Sequence, residues 1–218
     1  MRCRIGLESE ARMRKKGCNE AIRTRIAGMP AGSVFVLSDF SDVAGLKTVS
    51  KTLTRLCGAG LVEKLSRGVF WKPDGSGEPF PDNVAQALAR CNCWTAVPSG
   101  DTAKHIAGIE KEAPGNWTYI TDGTNRVYDF GGFVITFKHA SSRFFGAMSS
   151  GTALLVQVIK ALGKEALPEA VVNQLYRFFA SADPKKLIDE SRRTTAWIYA
   201  SIKKLFAKRQ NGPAVQKS

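Results

Sequence analysis

The sequence contains no apolar run of the roughly 18 residues that a membrane-spanning helix requires. Its first residues, MRCRIGLESEARMRKKG, are basic but lack the apolar stretch of about 7–15 residues found in a signal peptide. Its five cysteines, an odd number, show no Cys-x-x-Cys spacing, so we expect reduced thiols rather than a disulfide framework. These absences exclude a membrane protein and predict a cytoplasmic one.

Signatures of nucleotide-processing enzymes are missing as well. There is no P-loop and no Gly-x-Ser-x-Gly turn, and Gly75-Ser76 lacks the downstream carboxylate pair that holds Mg²⁺ in nucleotidyltransferases. His105 is placed on a short helix and His139 at the end of a strand, and structural roles explain both. Cys91-x-Cys93 with His105 fits few metal-site patterns. We therefore predict no enzyme activity, no metal and no cofactor.

Positive charge is in excess, with 32 Lys and Arg against 19 Asp and Glu and a net charge of +13. Residues 1–72 carry 14 basic and 6 acidic residues, and residues 185–218 carry 9 and 2. The middle, residues 73–184, carries 9 basic and 11 acidic residues. The two basic ends predict surfaces for polyanions, with ordinary solvated faces as the alternative.

The segment TVSKTLTRLCGAGLVEKLSRGVFW, residues 48–71, has the pattern of a helix followed by a hairpin. Apolar residues recur at steps of three and four and predict one inward helical face: Leu46, Val49, Leu53 and Leu56. The opposite face and its flanks are polar: Lys47, Thr48, Ser50, Lys51, Thr54 and Arg55. Gly58 and Gly60 end the predicted helix. Two strands, 61–65 and 69–71, then flank a turn at Ser66-Arg67-Gly68.

Three elements are predicted upstream of this segment. They are a helix over 19–28 with Ala21, Ile22 and Ile26 on its inner face, a strand over 33–37, and a helix from Ser38 or Asp39 to Ala44 with Phe40 and Val43 inside. Gly45 supplies the turn into the third helix. This order predicts a winged helix-turn-helix over residues 18–74, preceded by a basic arm at 1–17.

The Pro- and Gly-rich stretch KPDGSGEPFPD predicts the end of this domain and the start of a second one, at residues 75–218. Residues 75–140 are predicted to form helices that begin at Asp82 and Asp101 and a sheet. That sheet is expected to be antiparallel around turns at Asp122-Gly123 and Gly131-Gly132. Residues 149–208 are predicted to be helical, with segments at 152–162, 168–180 and 183–208. The fold class is therefore α+β.

The segment SVFVLSDFSDVAGLKTVSKTLTRLCGAGLVEKLSRGVFWKP resembles the N-terminal winged helix of AbiEi-type antitoxins from bacterial type IV toxin–antitoxin systems, in their DUF6088 branch. The resemblance continues through NVAQALAR, VPSGDTAKHIAGI, YITDGTNRVY and FVITFKHA, and spans roughly residues 19 to 205. It implies an antitoxin that binds inverted repeats in its own promoter and represses its operon. It also implies that the protein counteracts a nucleotidyltransferase-like toxin encoded next to it, without a stable complex.

For the predicted recognition helix, we expect major-groove contacts from Lys47, Thr48, Ser50, Lys51, Thr54 and Arg55, because short hydroxyls and long cations suit base edges and phosphates. Lys64, Arg67 and Lys72 are expected to contact the flanking DNA. Because one winged helix covers a half-site, two copies are expected on an inverted repeat of double-stranded DNA.

A second basic surface is predicted on the last helix, where Lys186, Arg193 and Lys204 form a stripe joined by Trp197. The opposite, apolar face is Leu187, Ile198, Ile202 and Leu205. A solvated surface is the alternative for this stripe. For the protein as a whole, three alternatives remain: a regulator with no toxin partner, a winged helix that binds protein or RNA, and a nucleic-acid-processing enzyme.

Overall fold

The computed structural model describes residues 17–141, 146–165 and 167–210. The predicted basic arm therefore lies outside the described residues, apart from Gly17. The chain divides into two compact units, the first ending at Trp94 and the second beginning at Thr95. The sequence places the change of domain about twenty residues earlier, at 74–75. The difference is the helix Pro81–Cys91, which packs against two strands of the first unit.

Over its described residues, 17–94, the first unit combines three α-helices, a single turn of 3-10 helix and three strands. In chain order these are α1 (17–28), β1 (Val34–Val36), the 3-10 turn (Leu37–Phe40), α2 (Leu46–Gly58), β2 (Glu63–Ser66), β3 (Val69–Trp71) and α3 (Pro81–Cys91). The sheet has the order β1-β3-β2, and both strand pairs are antiparallel. The order of elements matches the prediction, with a single 3-10 turn in place of the predicted second helix.

The core of the first unit is centred on an aromatic cluster. The ring of Phe35 in β1 lies 5.7 Å from that of Phe40, edge to face, and 6.1 Å from that of Phe70, stacked. These contacts hold the sheet against the 3-10 turn. Buried aliphatic side chains from α1, α2 and the start of the hairpin complete the core: Ile22, Ile26, Val49, Leu53, Leu56 and Val62.

Three predictions for this unit are wrong in detail. The second helix is only the 3-10 turn, in which Asp39 accepts the Val36 N–H at 2.9 Å, and it does not extend to Ala44. Ala21 is exposed because α1 buries only the narrow stripe of Ile22 and Ile26. Leu46 is 57% exposed because it is the first residue of α2 and lies beyond the edge of the core.

The end of α2 confirms the predicted glycine stop. Gly60 has a φ of +68°, a conformation that side chains with a Cβ rarely adopt. Its N–H donates to the Cys57 carbonyl at 3.0 Å, and the Leu61 N–H donates to the Leu56 carbonyl at 3.1 Å. These bonds satisfy carbonyls left free by the last helical turn and direct the chain into β2.

The second unit packs a four-stranded sheet and one short helix with four longer helices. In chain order these are β4 (Ala96–Pro98), α4 (Asp101–Ile106), β5 (Asn116–Thr121), β6 (Arg126–Asp129), β7 (Val134–His139), α5 (Ser150–Leu162), α6 (Glu169–Phe178), α7 (Pro184–Ser191) and α8 (Ala196–Gln210). The chain is thus mixed α and β, as predicted. Within the described parts of the chain, no helix is both long and apolar enough to cross a membrane.

The prediction of an antiparallel sheet in this unit is wrong. The strand order is β4-β5-β7-β6, and β5 and β7 run parallel. After β5 the chain passes the Asp122-Gly123 turn to the outer edge, forms β6 there, and returns as β7 between β5 and β6. The predicted turn at Gly131-Gly132 does connect an antiparallel pair, β6 and β7.

The prediction of one long C-terminal helix is also wrong, because the helix is interrupted between Ser191 and Ala196. The Thr194 N–H and hydroxyl both donate to the Ser191 carbonyl, at 3.0 and 2.7 Å, and so replace the regular helical hydrogen bonds. The predicted apolar face is nevertheless buried in both segments: Leu187, Ile198, Ile202 and Leu205.

Glu190 of α7 caps the N-terminus of α5. One of its carboxylate oxygens accepts the Ser149 N–H at 2.9 Å, the Ser149 hydroxyl at 2.6 Å and the Thr152 hydroxyl. Burial acts to raise the pKa of Glu190, but the hydrogen bonds from Ser149 and Thr152 hold it below the ordinary glutamate value. The ionised carboxylate also faces the positive end of the helix.

We predict that Glu190→Gln lowers the free energy of unfolding at neutral pH by about 0.5–2 kcal/mol, as expected for a lost helix cap. Because folding lowers the pKa of Glu190, its contribution is complete above about pH 4.3, the ordinary pKa, and is lost as the pH falls through the folded value. Chemical unfolding at pH 7 and at about pH 3 measures this. The exposed Glu112→Gln is the control, and equal acid sensitivity in both variants would contradict the cap.

Candidate nucleic-acid interface

The outer face of α2 carries a line of cations. Lys47, Lys51 and Arg55 are spaced by four residues, so they lie on one side of the helix, and all three are exposed. None of them makes an ion pair with a residue that the structure describes. With Thr48 and with Asn19 of α1, they line a surface groove of about 270 Å³.

One buried hydroxyl fixes the wall of this groove. Thr52 is 3% exposed, and its Oγ1 lies 2.6 Å from the Asn19 amide oxygen and 2.9 Å from the Thr48 carbonyl. This contact holds α1 beside α2. The sequence interpretation missed both Asn19 and Thr52. The sequence does indicate that Thr52 is buried, because it follows the buried Val49 by three residues and therefore lies on the inward face of the helix.

The two remaining polar residues of α2 have more limited roles. Ser50 is half-buried, and Thr54 is exposed. The Thr54 hydroxyl donates to the Ser50 carbonyl at 2.9 Å, so its hydrogen is used within the helix. Thr54 therefore presents only acceptor lone pairs to a ligand, whereas Lys51 and Arg55 present donors.

The hairpin presents two further exposed cations, Lys64 on β2 and Arg67 at the turn. The turn itself is anchored through its backbone. The Leu37 N–H donates to the Gly68 carbonyl at 3.3 Å, and the Cys91 thiol lies 3.5 Å from the Arg67 carbonyl. Arg67 thus extends from a fixed turn, and the end of the hairpin lies beside the 3-10 turn that precedes α2.

Lys72, in contrast, is not available for DNA. Its ammonium donates to the carbonyls of Ile26 at 3.1 Å, Ala27 at 2.9 Å and Met29 at 2.6 Å. These bonds use all three ammonium hydrogens and cap the C-terminal end of α1. The predicted phosphate contact by Lys72 is therefore withdrawn.

We predict that Lys72→Met lowers the stability of the first unit by about 1–3 kcal/mol, because it removes charge-assisted hydrogen bonds to helix carbonyls. DNA affinity of the folded variant should remain within about twofold of the wild type, since no phosphate contact is lost. Urea unfolding measures the stability, and fluorescence anisotropy without denaturant measures the affinity. A loss of DNA affinity without a loss of stability would show that Lys72 does contact DNA.

Two carboxylates that precede α2 pair with arginines of other helices. Asp42 accepts Arg25 at 2.7 Å, and that hydrogen bond holds the pKa of Asp42 below its ordinary value. Asp39 lies 3.5 Å from Arg90. Because α2 itself contains no Asp or Glu and its three cations make no ion pair with a described residue, α2 presents a positive face at the surface.

The predicted second basic surface does not form one stripe. Lys186 lies on α7, Arg193 in the connection and Lys204 on α8, so the interruption separates them. Lys186 is 3.9 Å from Glu190, and Trp197 packs against the apolar core of the second unit rather than joining the cations.

Residues considered for metal or acid–base chemistry are engaged in structural contacts. His105 lies edge-on to Trp117 at 5.4 Å, with Nδ1 3.2 Å from the Glu110 carbonyl. His139 Nδ1 lies 2.7 Å from the Gly123 carbonyl. In the ranges that the structure covers, no three His, Cys, Asp or Glu residues are grouped to hold a metal ion.

Residues 21–187 match the family of unknown function DUF6088. The chain belongs to this family. That confirms the DUF6088 part of the resemblance. No curated protein matches the sequence. Among solved structures, this DUF6088 protein is similar to the RV2827C protein from Mycobacterium tuberculosis, with 15% identity and a TM-score of 0.42, covering 86% of this chain and 75% of that one.

Proposed function

We propose that the first unit of this DUF6088 protein is a winged helix-turn-helix that binds double-stranded DNA. The observation that carries the proposal is the exposed line of Lys47, Lys51 and Arg55 on α2, unpaired within the described residues. Surface cations of a folded unit are more often compensated by nearby carboxylates. Asp39 and Asp42, the two carboxylates that precede α2 in the sequence, pair with arginines of other helices.

The arrangement of the elements supports this fold assignment. A helix packed on a three-stranded antiparallel sheet, preceded by a helix and followed by a hairpin, is the layout of a winged helix. The helical turn before α2 is shorter than usual. The charged face of α2 is nevertheless exposed to solvent, while Val49, Leu53 and Leu56 are buried in the core.

The mechanism follows from the geometry of the duplex. An α-helix fits the major groove of B-DNA, where Lys51 and Arg55 reach guanine edges or phosphates and Thr48 approaches closely. Arg67 on the hairpin reaches the adjacent backbone or minor groove, and Lys64 flanks it. One unit covers a half-site, so two copies occupy an inverted repeat. The narrow major groove of duplex RNA does not admit a helix, so RNA duplex is the poorer partner.

We further propose that the protein is the antitoxin and autorepressor of a type IV toxin–antitoxin operon. This rests on the resemblance to AbiEi-type antitoxins, which is strongest over the segment that forms β1, α2 and the hairpin. The second unit is then the antitoxin domain, and the target is a nucleotidyltransferase-like toxin encoded by the neighbouring gene. No catalytic chemistry is assigned to the chain itself.

Co-expression tests this role. Induction of the neighbouring nucleotidyltransferase-like reading frame should stop growth, and this protein should restore it. The Lys51→Ala, Arg55→Ala double variant should also restore growth while failing to repress the promoter, because the two functions use different units. If the wild type represses its promoter but never relieves toxicity, the protein is a winged-helix regulator with no toxin partner.

A further inference from the structure

The groove between α1 and α2 is lined mainly by side chains that donate hydrogen bonds. Lys47, Lys51 and Arg55 carry donors only, and the Thr48 hydroxyl can donate or accept. The fifth lining residue is Asn19 of α1, whose carboxamide carries an acceptor oxygen on one branch and a donor NH₂ group on the other. The orientation of this carboxamide therefore decides which chemistry α1 adds to the groove.

The Thr52 hydroxyl sets that orientation. Thr52 Oγ1 and Asn19 Oδ1 lie 2.6 Å apart, and two oxygens at that distance need a hydrogen between them. An amide oxygen carries no hydrogen, so the single hydroxyl hydrogen of Thr52 points to Asn19, although the Thr48 carbonyl lies 2.9 Å away. Thr52 is 3% exposed, so this hydrogen bond is shielded from water.

With its oxygen held against Thr52, Asn19 presents its NH₂ group to the groove that it lines. Asn19 is half-buried, in contrast to the three exposed cations of α2. The groove then offers amide, ammonium and guanidinium hydrogens from two helices. Base edges in the major groove present donors as well as acceptors, whereas a phosphate group has only acceptor oxygens and carries a negative charge. A lining of donors matches the phosphate.

We infer that this groove holds a phosphate of the DNA backbone, with Asn19 as a contact residue and Thr52 as the residue that positions it. The inference rests on the proposed DNA-binding function and adds a contact from α1, which lies outside the recognition helix. Phosphate contacts fix the register of a protein on the duplex without reading its sequence. A contact from a second helix thus fixes how α2 enters the major groove.

Fluorescence anisotropy of Asn19→Ala tests the contact, with a duplex from the protein's own upstream region and a shuffled duplex, at a salt concentration where both bind. Affinity should fall about tenfold for each duplex, because a hydrogen bond to a charged group is lost and a phosphate contact is independent of sequence. The salt dependence should not change, since a neutral amide displaces no counterion. A loss confined to the upstream duplex would show that Asn19 reads a base, and unchanged affinity would remove Asn19 from the interface; either result overturns the inference.

Asn19→Asp separates a DNA contact from a role in packing. The aspartate keeps an acceptor for the Thr52 hydroxyl but replaces the amide donor by an anionic oxygen, so affinity should fall at least as far as in Asn19→Ala. Ala21→Asp is the matched control, because it adds the same charge at an exposed position on another side of α1. It should change affinity less than about threefold, since exposed charges are screened. Equal losses in the two aspartate variants would contradict the contact.

Thr52→Val tests the positioning role, because valine has the shape of threonine without the hydroxyl. It should weaken DNA binding about as much as Asn19→Ala, whereas Thr52→Ser should bind like the wild type. Combining Thr52→Val with Asn19→Ala should cost no more than either change alone, since both remove the same contact. Additive losses, or a Thr52→Val variant with lower stability and normal affinity, would show that Thr52 does not act through Asn19. Should Thr52→Val fail to fold, the Asn19 variants still decide the contact.

The wild-type measurement separates this inference from the proposed function. If the wild type binds neither duplex, DNA binding by the first unit fails, and the phosphate contact fails with it. If the wild type binds and both Asn19 variants bind equally well, only the phosphate contact fails.

Discussion

Replacing Lys51 and Arg55 together by alanine is expected to abolish binding of the protein to DNA from its own upstream region. Both side chains are exposed and lie one turn apart on the line of cations of α2. Each lost base contact is worth about 1–3 kcal/mol, so the pair accounts for about 2–6 kcal/mol, or roughly 30-fold to more than 10,000-fold in affinity. The fold should survive, because both side chains are exposed and neither belongs to the buried stripe of the helix.

The matched control is Lys111→Ala with Lys185→Ala, which removes the same net charge from exposed positions of the second unit. It should change affinity only slightly, because neither lysine belongs to the proposed interface and exposed charges are screened at physiological salt. Gel shifts of both double variants, with circular dichroism to verify folding, measure the difference. An unchanged affinity of the α2 variant, with an intact spectrum, would eliminate α2 as the recognition helix.

The largest expected effect on stability is that of Phe35→Ala. Phe35 is 2% exposed and contacts both Phe40 and Phe70, so it joins the sheet to the 3-10 turn that positions α2. Truncation leaves a cavity in a packed core, and we expect a loss of about 3–5 kcal/mol in the free energy of unfolding of the first unit. DNA binding should be lost in parallel, as the unit unfolds.

Leu46→Ala is the control for this prediction. Leu46 is 57% exposed at the start of α2, although its spacing assigns it to the buried face. Its truncation should cost less than about 0.5 kcal/mol, as is usual for surface positions. Denaturant unfolding followed by tryptophan fluorescence compares the two. Similar losses for both variants would show that the core does not lie where the aromatic cluster places it.

The sequence predicts α2 and the hairpin well because their signals are local. The three- and four-residue spacing of apolar residues gives the phase of the helix, and Gly60 gives its end. Spacing does not show where a core ends, which is why Leu46 was assigned to the wrong side. The helix predicted before Gly45 shortens to one turn for a related reason: Asp39 caps a single turn, and only Phe40 is buried there.

Local sequence patterns do not predict which distant segments pair with each other. The turns around β5, β6 and β7 were identified, but a turn does not determine which strands become neighbours, so the parallel β5–β7 pair was missed. The break in the last helix depends on the Thr194 hydroxyl and N–H competing for the Ser191 carbonyl. Lys72 was assigned to the DNA interface from its charge alone. Its three hydrogen-bond acceptors come from a segment more than forty residues away in the sequence, which local patterns do not reveal.

The residues of the candidate site differ in how much the sequence reveals. The cations of α2 are apparent from their spacing, whereas Asn19 enters the groove only through its contact with Thr52.

Fluorescence anisotropy with the wild-type protein tests the central claim most directly. The probes are a labelled duplex from the protein's own upstream region and a shuffled duplex of the same length and composition, at about 150 mM salt. We predict that the upstream duplex binds at least about 1,000-fold more tightly, as specific DNA-binding proteins do. We also predict that its affinity falls steeply with salt, since the cations of α2 and the hairpin release counterions. Equal affinity for the two duplexes, or no binding to either, would contradict sequence-specific DNA recognition by this protein.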